Sequence, residues 1–351
     1  MKIAYLTGDI VHNGHFAFYH DLISSYYRDP DWMHRIYLIN PAWVPKLVPV
    51  LKENLADVRS IFPEFQRSMD QFWAKMREEL EQVDVVISGN INNLDYIVPE
   101  DLKTPVVSLS LFEGGYKDAS GNYGSNYKNR FHLAAISEAA KSSFPEHHRE
   151  RADVIRGGIS TARLKLKSIP AEMRARWFPG RSDKVKIALH FGTHQDIQGL
   201  IKAVEMLDYL PKEWHLIAIT HQKSIKEIPE HLNHRVFLCE QTYHHADIIK
   251  AADVVIHPTE REGFSTCLLE SWYLETPVVT TLHSSMKELI ALHPDVDFGQ
   301  IVPVESTPKE LAEAVLRAEP SKEANECVCR NYLSTHLIDR WRSYLEKIVG
   351  G

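Results

Sequence analysis

Residues 257–270 read HPTEREGFSTCLLE, and residues 276–279 read TPVV. The apolar run 254–257 predicts a strand that ends where this stretch begins. Gly263 then indicates a turn, and the spacing of apolar residues over 265–274 predicts a helix that begins at a serine. A second strand is predicted at 278–281. A strand, a helix and another strand in this order predict a parallel α/β unit.

The same alternation of apolar runs and helical spacing extends along the chain in both directions. Further helices are predicted at 65–80, 199–207 and 337–349. Further strands are predicted at 3–6, 36–39, 83–87, 106–111, 133–136, 185–191, 214–219 and 236–239. Because strands alternate with helices in both halves, we expect two consecutive Rossmann-like α/β domains.

A polar stretch with prolines interrupts this alternation at 167–184 and predicts a linker. The expected domains are therefore 1–166 and 185–332. Residues 333–351 are expected to form a C-terminal helix that packs back toward the first domain. The length supports this division, since 351 residues exceed the ~250 at which single cores usually stop growing.

The composition excludes several classes of protein. The 40 Lys and Arg against 47 Asp and Glu give a net charge of −7, the wrong sign for general binding to nucleic acid. The four cysteines form no C-x-x-C pair, and no run of 18 apolar residues is present. We therefore expect a reduced, cytoplasmic setting and no integral membrane segment.

Two glutamates, Glu262 and Glu270, stand eight positions apart in the opening stretch. Backbone N–H groups at a helix start can bind an anionic phosphate. A nearby carboxylate can accept hydrogen bonds from vicinal hydroxyls, as in dinucleotide-binding folds. This combination suits a sugar nucleotide. The alternative is that Glu262, before the helix, merely interacts favourably with the helix dipole and that Glu270 is solvated.

The stretch resembles the E-x7-E motif of retaining glycosyltransferases with the GT-B fold, family GT4. Weaker similarities follow the family's order along the chain, at 13–22, 135–138, 154–159, 192–199 and 299–312. The resemblance implies two Rossmann-like domains facing a cleft, with the acceptor held mainly by the first and the sugar donor by the second.

The resemblance also implies roles for individual residues. Glu262 would contact the donor sugar as a catalytic residue, and Glu270 the nucleotide ribose. The remaining donor-binding positions are Gly14, Gly192, Gly263, Phe264 and Ser265. Family members use a nucleotide-diphosphate sugar as substrate, without a separate cofactor, and bind no metal. The implied enzyme is a metal-independent hexosyl- or pentosyltransferase.

The sequence departs from the family pattern at the loop that binds the donor phosphates. Thr193 and Gln198, both still expected at the donor, stand where the family has an arginine and a lysine. Two missing charge-assisted contacts would cost roughly 1.5–3 kcal/mol each. Arg261 is the favoured substitute. Other candidates are His194, Arg156 and Lys223.

A second departure is a histidine that many family members carry after the fourth strand of the first domain. The corresponding stretch, 105–113, has none. Glu113, just beyond the predicted strand end, is a candidate base toward the acceptor. His15, beside Gly14, is the other candidate for this catalytic position.

Three functions remain open at this point. The first is transfer of a sugar from a nucleotide-sugar donor to a small-molecule or glycan acceptor. The second is transfer to a modified base of DNA, as phage enzymes of this fold perform. The third is a nucleotide- or sugar-binding protein that kept the fold and lost turnover, which the missing phosphate cations would favour.

Overall fold

The structure is a computed structural model, and the chain divides into two compact units. Unit 1 comprises Met1–Gly158 and Ser334–Gly351, and unit 2 comprises Ile159–Leu333. The structure describes residues 1–7, 33–38, 57–60, 68–89, 94, 98–111, 130–161, 163–180, 182–192, 197–220, 228–239 and 246–350.

The described part of unit 1 contains a seven-stranded parallel sheet in the order β3-β2-β1-β4-β5-β6-β7. Its strands are β1 Lys2–Thr7, β2 Met33–Leu38, β3 Asp57–Ser60, β4 Val85–Gly89, β5 Val106–Ser110, β6 His132–Ala135 and β7 Ala152–Val154. Every residue of β4 and β5 is buried, which is typical of parallel strands covered on both faces.

The described part of unit 2 contains a six-stranded parallel sheet in the order β10-β9-β8-β11-β12-β13. Its strands are β8 Lys186–Phe191, β9 Trp214–Ile219, β10 Val236–Cys239, β11 Val254–His257, β12 Val278–Thr281 and β13 Gln300–Val302. This is the strand order of the Rossmann fold. The order reverses between β8 and β11, and ligands of open α/β sheets bind beyond the carboxyl ends of strands at such a reversal.

Helices connect the strands in both units. In unit 1 they are Met69–Leu80, Glu138–Lys141, Glu146–Arg149 and the C-terminal Ser334–Gly350. In unit 2 they are Pro170–Trp177, Ile197–Glu205, Ala246–Ala251, Thr266–Tyr273, Ser284–Leu292, Pro308–Arg317 and Lys322–Asn331, with 3-10 turns at Met206–Tyr209 and Glu230–Arg235. The prediction of two α/β domains with parallel sheets is confirmed.

The predicted linker, 167–184, is wrong, because the whole stretch lies within unit 2. It contains the helix Pro170–Trp177, and Phe178 is fully buried in the core beneath β8 and β9. Arg174 anchors the helix by donating hydrogen bonds of 2.9 Å to Ala251 O and to Asp253 Oδ2. The division therefore falls at 158/159 rather than after residue 166. Both partners lie almost 80 positions later in the chain, so the local composition could not have predicted these contacts.

The C-terminal helix Ser334–Gly350 belongs to unit 1. Its Trp341 is fully buried, and Arg340 Nη2 lies 3.5 Å from Gly157 O. The chain thus leaves unit 1 at residue 158 and returns to it at residue 334. Across the residues that the structure describes, no helix is long and apolar enough to cross a membrane.

Candidate active site

The E-x7-E stretch occupies the carboxyl edge of the unit 2 sheet, where the strand order reverses. His257 is the last residue of β11, a loop follows, and the helix Thr266–Tyr273 begins directly after Ser265. The helix then packs beside β11 and β12 through buried side chains that include Leu268 and Leu269. The fold therefore presents the loop 258–265 at the edge where this class of sheet binds ligands.

Glu262 is held on this loop through both of its carboxylate oxygens. Oε2 lies 3.2 Å from His257 Nε2, and Oε1 lies 3.4 Å from the backbone nitrogen of Phe264. The side chain of Glu262 is 23% exposed, whereas that of His257 is only 5% exposed. The carboxylate is thus oriented from the protein side while part of its surface remains open.

The two partners keep each other charged. Burial acts to raise the pKa of Glu262, but the hydrogen bond and positive charge of His257 outweigh it and hold that pKa below its usual value. Burial acts to lower the pKa of His257, but Cys267 and Glu262 outweigh it and raise that pKa well above its usual value. Cys267 Sγ lies 3.9 Å from His257 Nδ1. Both ring nitrogens of His257 therefore face acceptors.

A second buried histidine, His283, is neutral. It caps the helix Ser284–Leu292 by accepting the backbone N–H of Met286 at its Nδ1, over 3.3 Å. Burial, reinforced by the charge on His257, lowers the pKa of His283 to about 3. The two imidazole rings meet edge to face with centroids 5.7 Å apart, so the neighbouring charge disfavours a second one.

The start of the helix Thr266–Tyr273 lacks a side-chain cap. Ser265 occupies the N-cap position, but its hydroxyl has no hydrogen-bond partner among the described residues. A cavity of about 20 Å³, room for about one water molecule, lies beside it and is lined by Phe264, His283 and Ser285 together with apolar side chains. An N-cap hydroxyl normally bonds to the first turn of its own helix. Here the hydroxyl is buried and makes no such bond.

Glu270 is buried in an ion pair that sequence reasoning missed. Its Oε1 accepts a hydrogen bond from Arg163 Nη2, and the two side chains are 1% and 2% exposed. Arg163 lies 107 positions earlier, at the start of unit 2. Glu270, the second glutamate of the motif, is therefore paired with a side chain of the protein itself. The sequence had predicted only a contact with the donor ribose.

Gly192 follows β8 on the other side of the strand reversal. It is buried, and its backbone N–H donates to Ile219 O over 3.0 Å. A Cβ atom at this position would lie 3.2 Å from His190 Nε2 and 3.4 Å from Thr220 Oγ1, so glycine fits the close approach of these side chains. Gln198 is exposed on the helix Ile197–Glu205.

The remaining predicted site residues divide into two groups. Arg261 and Gly263 lie on the described loop after β11, Arg261 exposed and Gly263 buried. Gly14, His15, Glu113 and Thr193 lie outside the described residues, as do His194 and Lys223. Within the described ranges, no three His, Cys, Asp or Glu side chains are arranged to hold a metal ion.

His257 and Arg163 are the residues near the motif that sequence reasoning overlooked. A polar residue that ends an apolar strand, five positions before Glu262, is a signal that could have identified His257. Arg163 offers no comparable local signal, because only the fold brings it to Glu270.

Solved structures share this fold over nearly the whole chain. Anabaena HepE in complex with UDP and glucose has a TM-score of 0.78 at 18% identity, covering 99% of this chain and 100% of its own. A glycosyltransferase from Rickettsia africae has a TM-score of 0.75 at 14% identity, covering 99% and 98%. Sucrose-phosphate synthase from Thermosynechococcus elongatus has a TM-score of 0.70 at 13% identity, covering 100% and 99%. The fold is that of GT-B glycosyltransferases, as predicted.

Residues 186–319 match the family model described as Glycosyl transferases group 1. The matched range contains the six strands of unit 2 and the whole E-x7-E stretch. No curated protein matches the sequence. The family match thus covers most of unit 2, whereas the similarity in fold extends over nearly the whole chain.

Proposed function

We propose that this chain is a retaining glycosyltransferase that moves a hexosyl or pentosyl group from a nucleotide-diphosphate sugar to a hydroxyl-bearing acceptor. The acceptor is a small molecule, a glycan or a modified base, and the reaction uses no protein-bound metal. UDP-glucose is the first donor to test, because HepE was solved in complex with it.

The observation that carries the proposal is the paired Glu262 beside a helix start that has no side-chain cap. Glu262 has a lowered pKa, is oriented by His257 and is partly exposed on the loop after β11, and the buried hydroxyl of Ser265 is unpartnered among described residues. A helix start favours the negative charge that develops on a departing diphosphate. A carboxylate at the same loop suits the positive charge that develops on a sugar ring.

In the proposed reaction, one bond of the donor is replaced by one bond to the acceptor. The bond from the anomeric carbon to the phosphate oxygen breaks, and the diphosphate departs with the electron pair. The acceptor oxygen bonds to the anomeric carbon on the face that the diphosphate leaves, and its proton passes to the departing phosphate oxygen. Glu262 stabilises the positive ring, while the backbone at Gly263, Phe264 and Ser265 holds the phosphate and sugar.

A thermal-shift screen tests the proposed donor. We expect UDP-glucose or another nucleotide sugar at 100 times its Kd to stabilise the protein by about 2.7 kcal/mol. Release of the nucleotide diphosphate then separates an enzyme from a binding protein. Stabilisation without release would favour the non-catalytic alternative, and no stabilisation by any nucleotide sugar would reject the proposal.

Arg261 is the proposed replacement for the missing phosphate cations. It is exposed on the loop between Glu260 and Glu262, where a guanidinium can form a forked contact with a phosphate. We expect Arg261→Ala to weaken nucleotide-diphosphate binding about tenfold or more, measured by calorimetry. The melting temperature of the free protein should change little, because an exposed arginine adds at most ~1 kcal/mol to stability. Equal affinities for variant and parent would shift the role to Arg156, His194 or Lys223.

A further inference from the structure

We infer that His257 is a positioning residue that fixes the Glu262 carboxylate in the orientation used for sugar transfer. The inference rests on the proposed function, since it assigns His257 a task in that reaction. His257 is not placed in contact with the donor. It acts through Glu262.

The first argument is the geometry of the carboxylate. A glutamate side chain on a loop has several rotamers, and a single hydrogen bond leaves its carboxylate free to rotate. Here His257 Nε2 contacts one oxygen of Glu262 and the Phe264 backbone nitrogen contacts the other. Removing His257 removes the shorter of these two contacts, the one at 3.2 Å. We expect the carboxylate to lose its fixed orientation in that case.

The second argument is that His257 itself is held rigidly. It ends β11, inside the sheet, and its carbonyl oxygen accepts a hydrogen bond of 3.2 Å from Thr280 Oγ1 on the neighbouring strand β12. Thr280 is fully buried. This bond fixes the backbone that carries the imidazole, and the ring itself is buried, so the rigid sheet supports the contact with the loop residue Glu262. Functional groups need such support from rigid elements to keep a productive geometry.

The third argument is the distribution of charge around the ring. Among the residues that the structure describes, three titratable side chains face His257: Glu262 from the loop, Cys267 from the helix Thr266–Tyr273, and His283 from the segment before Ser284–Leu292. His283 is neutral because burial lowers its pKa to about 3, and its Nδ1 accepts a backbone N–H. The imidazolium of His257 therefore faces the Glu262 carboxylate without a competing cation on these three side chains.

This arrangement predicts a specific pH dependence of kcat. The pair must be ionised for Glu262 to be held. Because the pKa of His257 is raised, the pair persists through neutral pH and is lost in alkaline solution as the ring loses its proton. Because the pKa of Glu262 is lowered, the acidic loss of activity falls below the usual range for a glutamate. We expect an alkaline decline that belongs to His257.

The kinetic test compares His257→Gln and His257→Phe with wild type, using UDP-glucose and measuring UDP release against pH. Glutamine places a neutral hydrogen-bond donor near the position of Nε2, whereas phenylalanine keeps an aromatic ring without such a donor. We expect His257→Phe to lower kcat about tenfold or more with a change in KM below about threefold, and His257→Gln to recover part of the loss. Both variants should lose the alkaline decline that belongs to His257.

His215→Gln is the matched control. His215 is also buried in unit 2, but it lies near the amino end of β9, and its ring packs against Phe178 at a centroid distance of 4.8 Å. This control should lose stability without altering the pH profile. If the His257 variants keep the wild-type kcat and alkaline decline, or change only as the control does, the inference is wrong.

An imidazole ¹⁵N titration separates this inference from the proposed function, because it requires no turnover. We expect the ring of His257 to be doubly protonated at neutral pH and to lose its proton at lower pH in Glu262→Gln. A neutral ring, or one that Glu262→Gln does not affect, overturns the inference even in an active enzyme. Absence of nucleotide release from wild type with every nucleotide sugar overturns the proposed function, and the catalytic purpose of the pair with it.

Discussion

Replacing Glu262 with glutamine is expected to lower kcat at least about tenfold, or ~1.4 kcal/mol of barrier. The substitution preserves the shape of the side chain and removes its negative charge. That charge is proposed to stabilise the sugar ring in the transition state, where positive charge develops at the anomeric carbon. KM for the donor should change less than kcat, because the loss concerns an interaction that is strongest in the transition state. Steady-state release of nucleotide diphosphate measures both parameters.

The control for this variant is Glu260→Gln, which removes the same charge two positions earlier on the same loop. Glu260 is exposed, whereas Glu262 is paired with His257. If general electrostatics of the loop governed the rate, both variants would be slow. A near-normal kcat for Glu262→Gln would exclude this residue from the chemistry.

Replacing Arg163 with methionine is expected to destabilise unit 2 by about 3–5 kcal/mol, because it leaves the Glu270 carboxylate buried without its partner. Glu270→Met should lower the stability of unit 2 by a similar amount, because it removes the carboxylate that pairs with the buried Arg163 guanidinium. The double variant Arg163→Met/Glu270→Met should recover much of the loss, since apolar side chains can replace a buried ion pair. Urea unfolding of the single and double variants measures this coupling.

An exposed ion pair of the same unit provides the control. Glu326 pairs with Lys322 and Arg330, and its side chain is 43% exposed. Glu326→Gln should cost at most ~1 kcal/mol. If the Arg163 variant is as stable as this control, the pair with Glu270 does not support the fold.

The buried pair also changes how a kinetic test of Glu270 must be interpreted. We expect Glu270→Ala to raise the donor KM more than it lowers kcat, because contacts with the ribose are made equally in the ground and transition states. The same variant also breaks the buried pair with Arg163, which lowers the fraction of folded protein. Kinetics should therefore be measured well below the melting temperature. An unchanged KM with a collapsed kcat would contradict the ribose role.

Most strands of unit 2 could be predicted to the residue. The expected ranges 214–219, 236–239, 254–257 and 278–281 coincide with β9 to β12. Buried parallel strands are continuous apolar runs bounded by polar residues, so sequence alone reveals them. The strand β3 was missed because its four residues, DVRS, contain a single apolar one.

The linker was mispredicted because tertiary contacts decide that region. The helix Pro170–Trp177 is short and has no fully buried residue, and only Met173 and Trp177 pack against the core, each partly buried. Its anchor is Arg174, whose partners Ala251 and Asp253 come much later in the chain. A stretch with proline and arginine residues, whose contacts lie far away in the sequence, therefore resembles an exposed linker when only the local sequence is considered.

Features of the candidate site that lie close together in the sequence could be predicted, whereas contacts that only the fold creates could not. Glu262 and Glu270 were predicted from their spacing together with the resemblance to the E-x7-E motif, and the helix was expected to begin at Ser265. The partners of the two glutamates differ in this respect. His257 lies five positions from Glu262, but its role depends on the end of β11, and Arg163 reaches Glu270 only through the folding of unit 2.

Hydrogen–deuterium exchange with and without a nucleotide sugar tests the central claim most directly. UDP-glucose is added first, and other nucleotide sugars follow if it gives no thermal shift. If the donor binds at the edge of the unit 2 sheet, amide exchange should slow in the loop 258–265 and in the first turn of the helix Thr266–Tyr273. At a ligand concentration equal to the wild-type Kd, that slowing should be several times smaller in Arg261→Ala, because a tenfold weaker affinity lowers the occupied fraction from about one half to about one tenth. Stabilisation by the ligand with unchanged exchange throughout 258–269 would place the donor elsewhere and contradict the proposal.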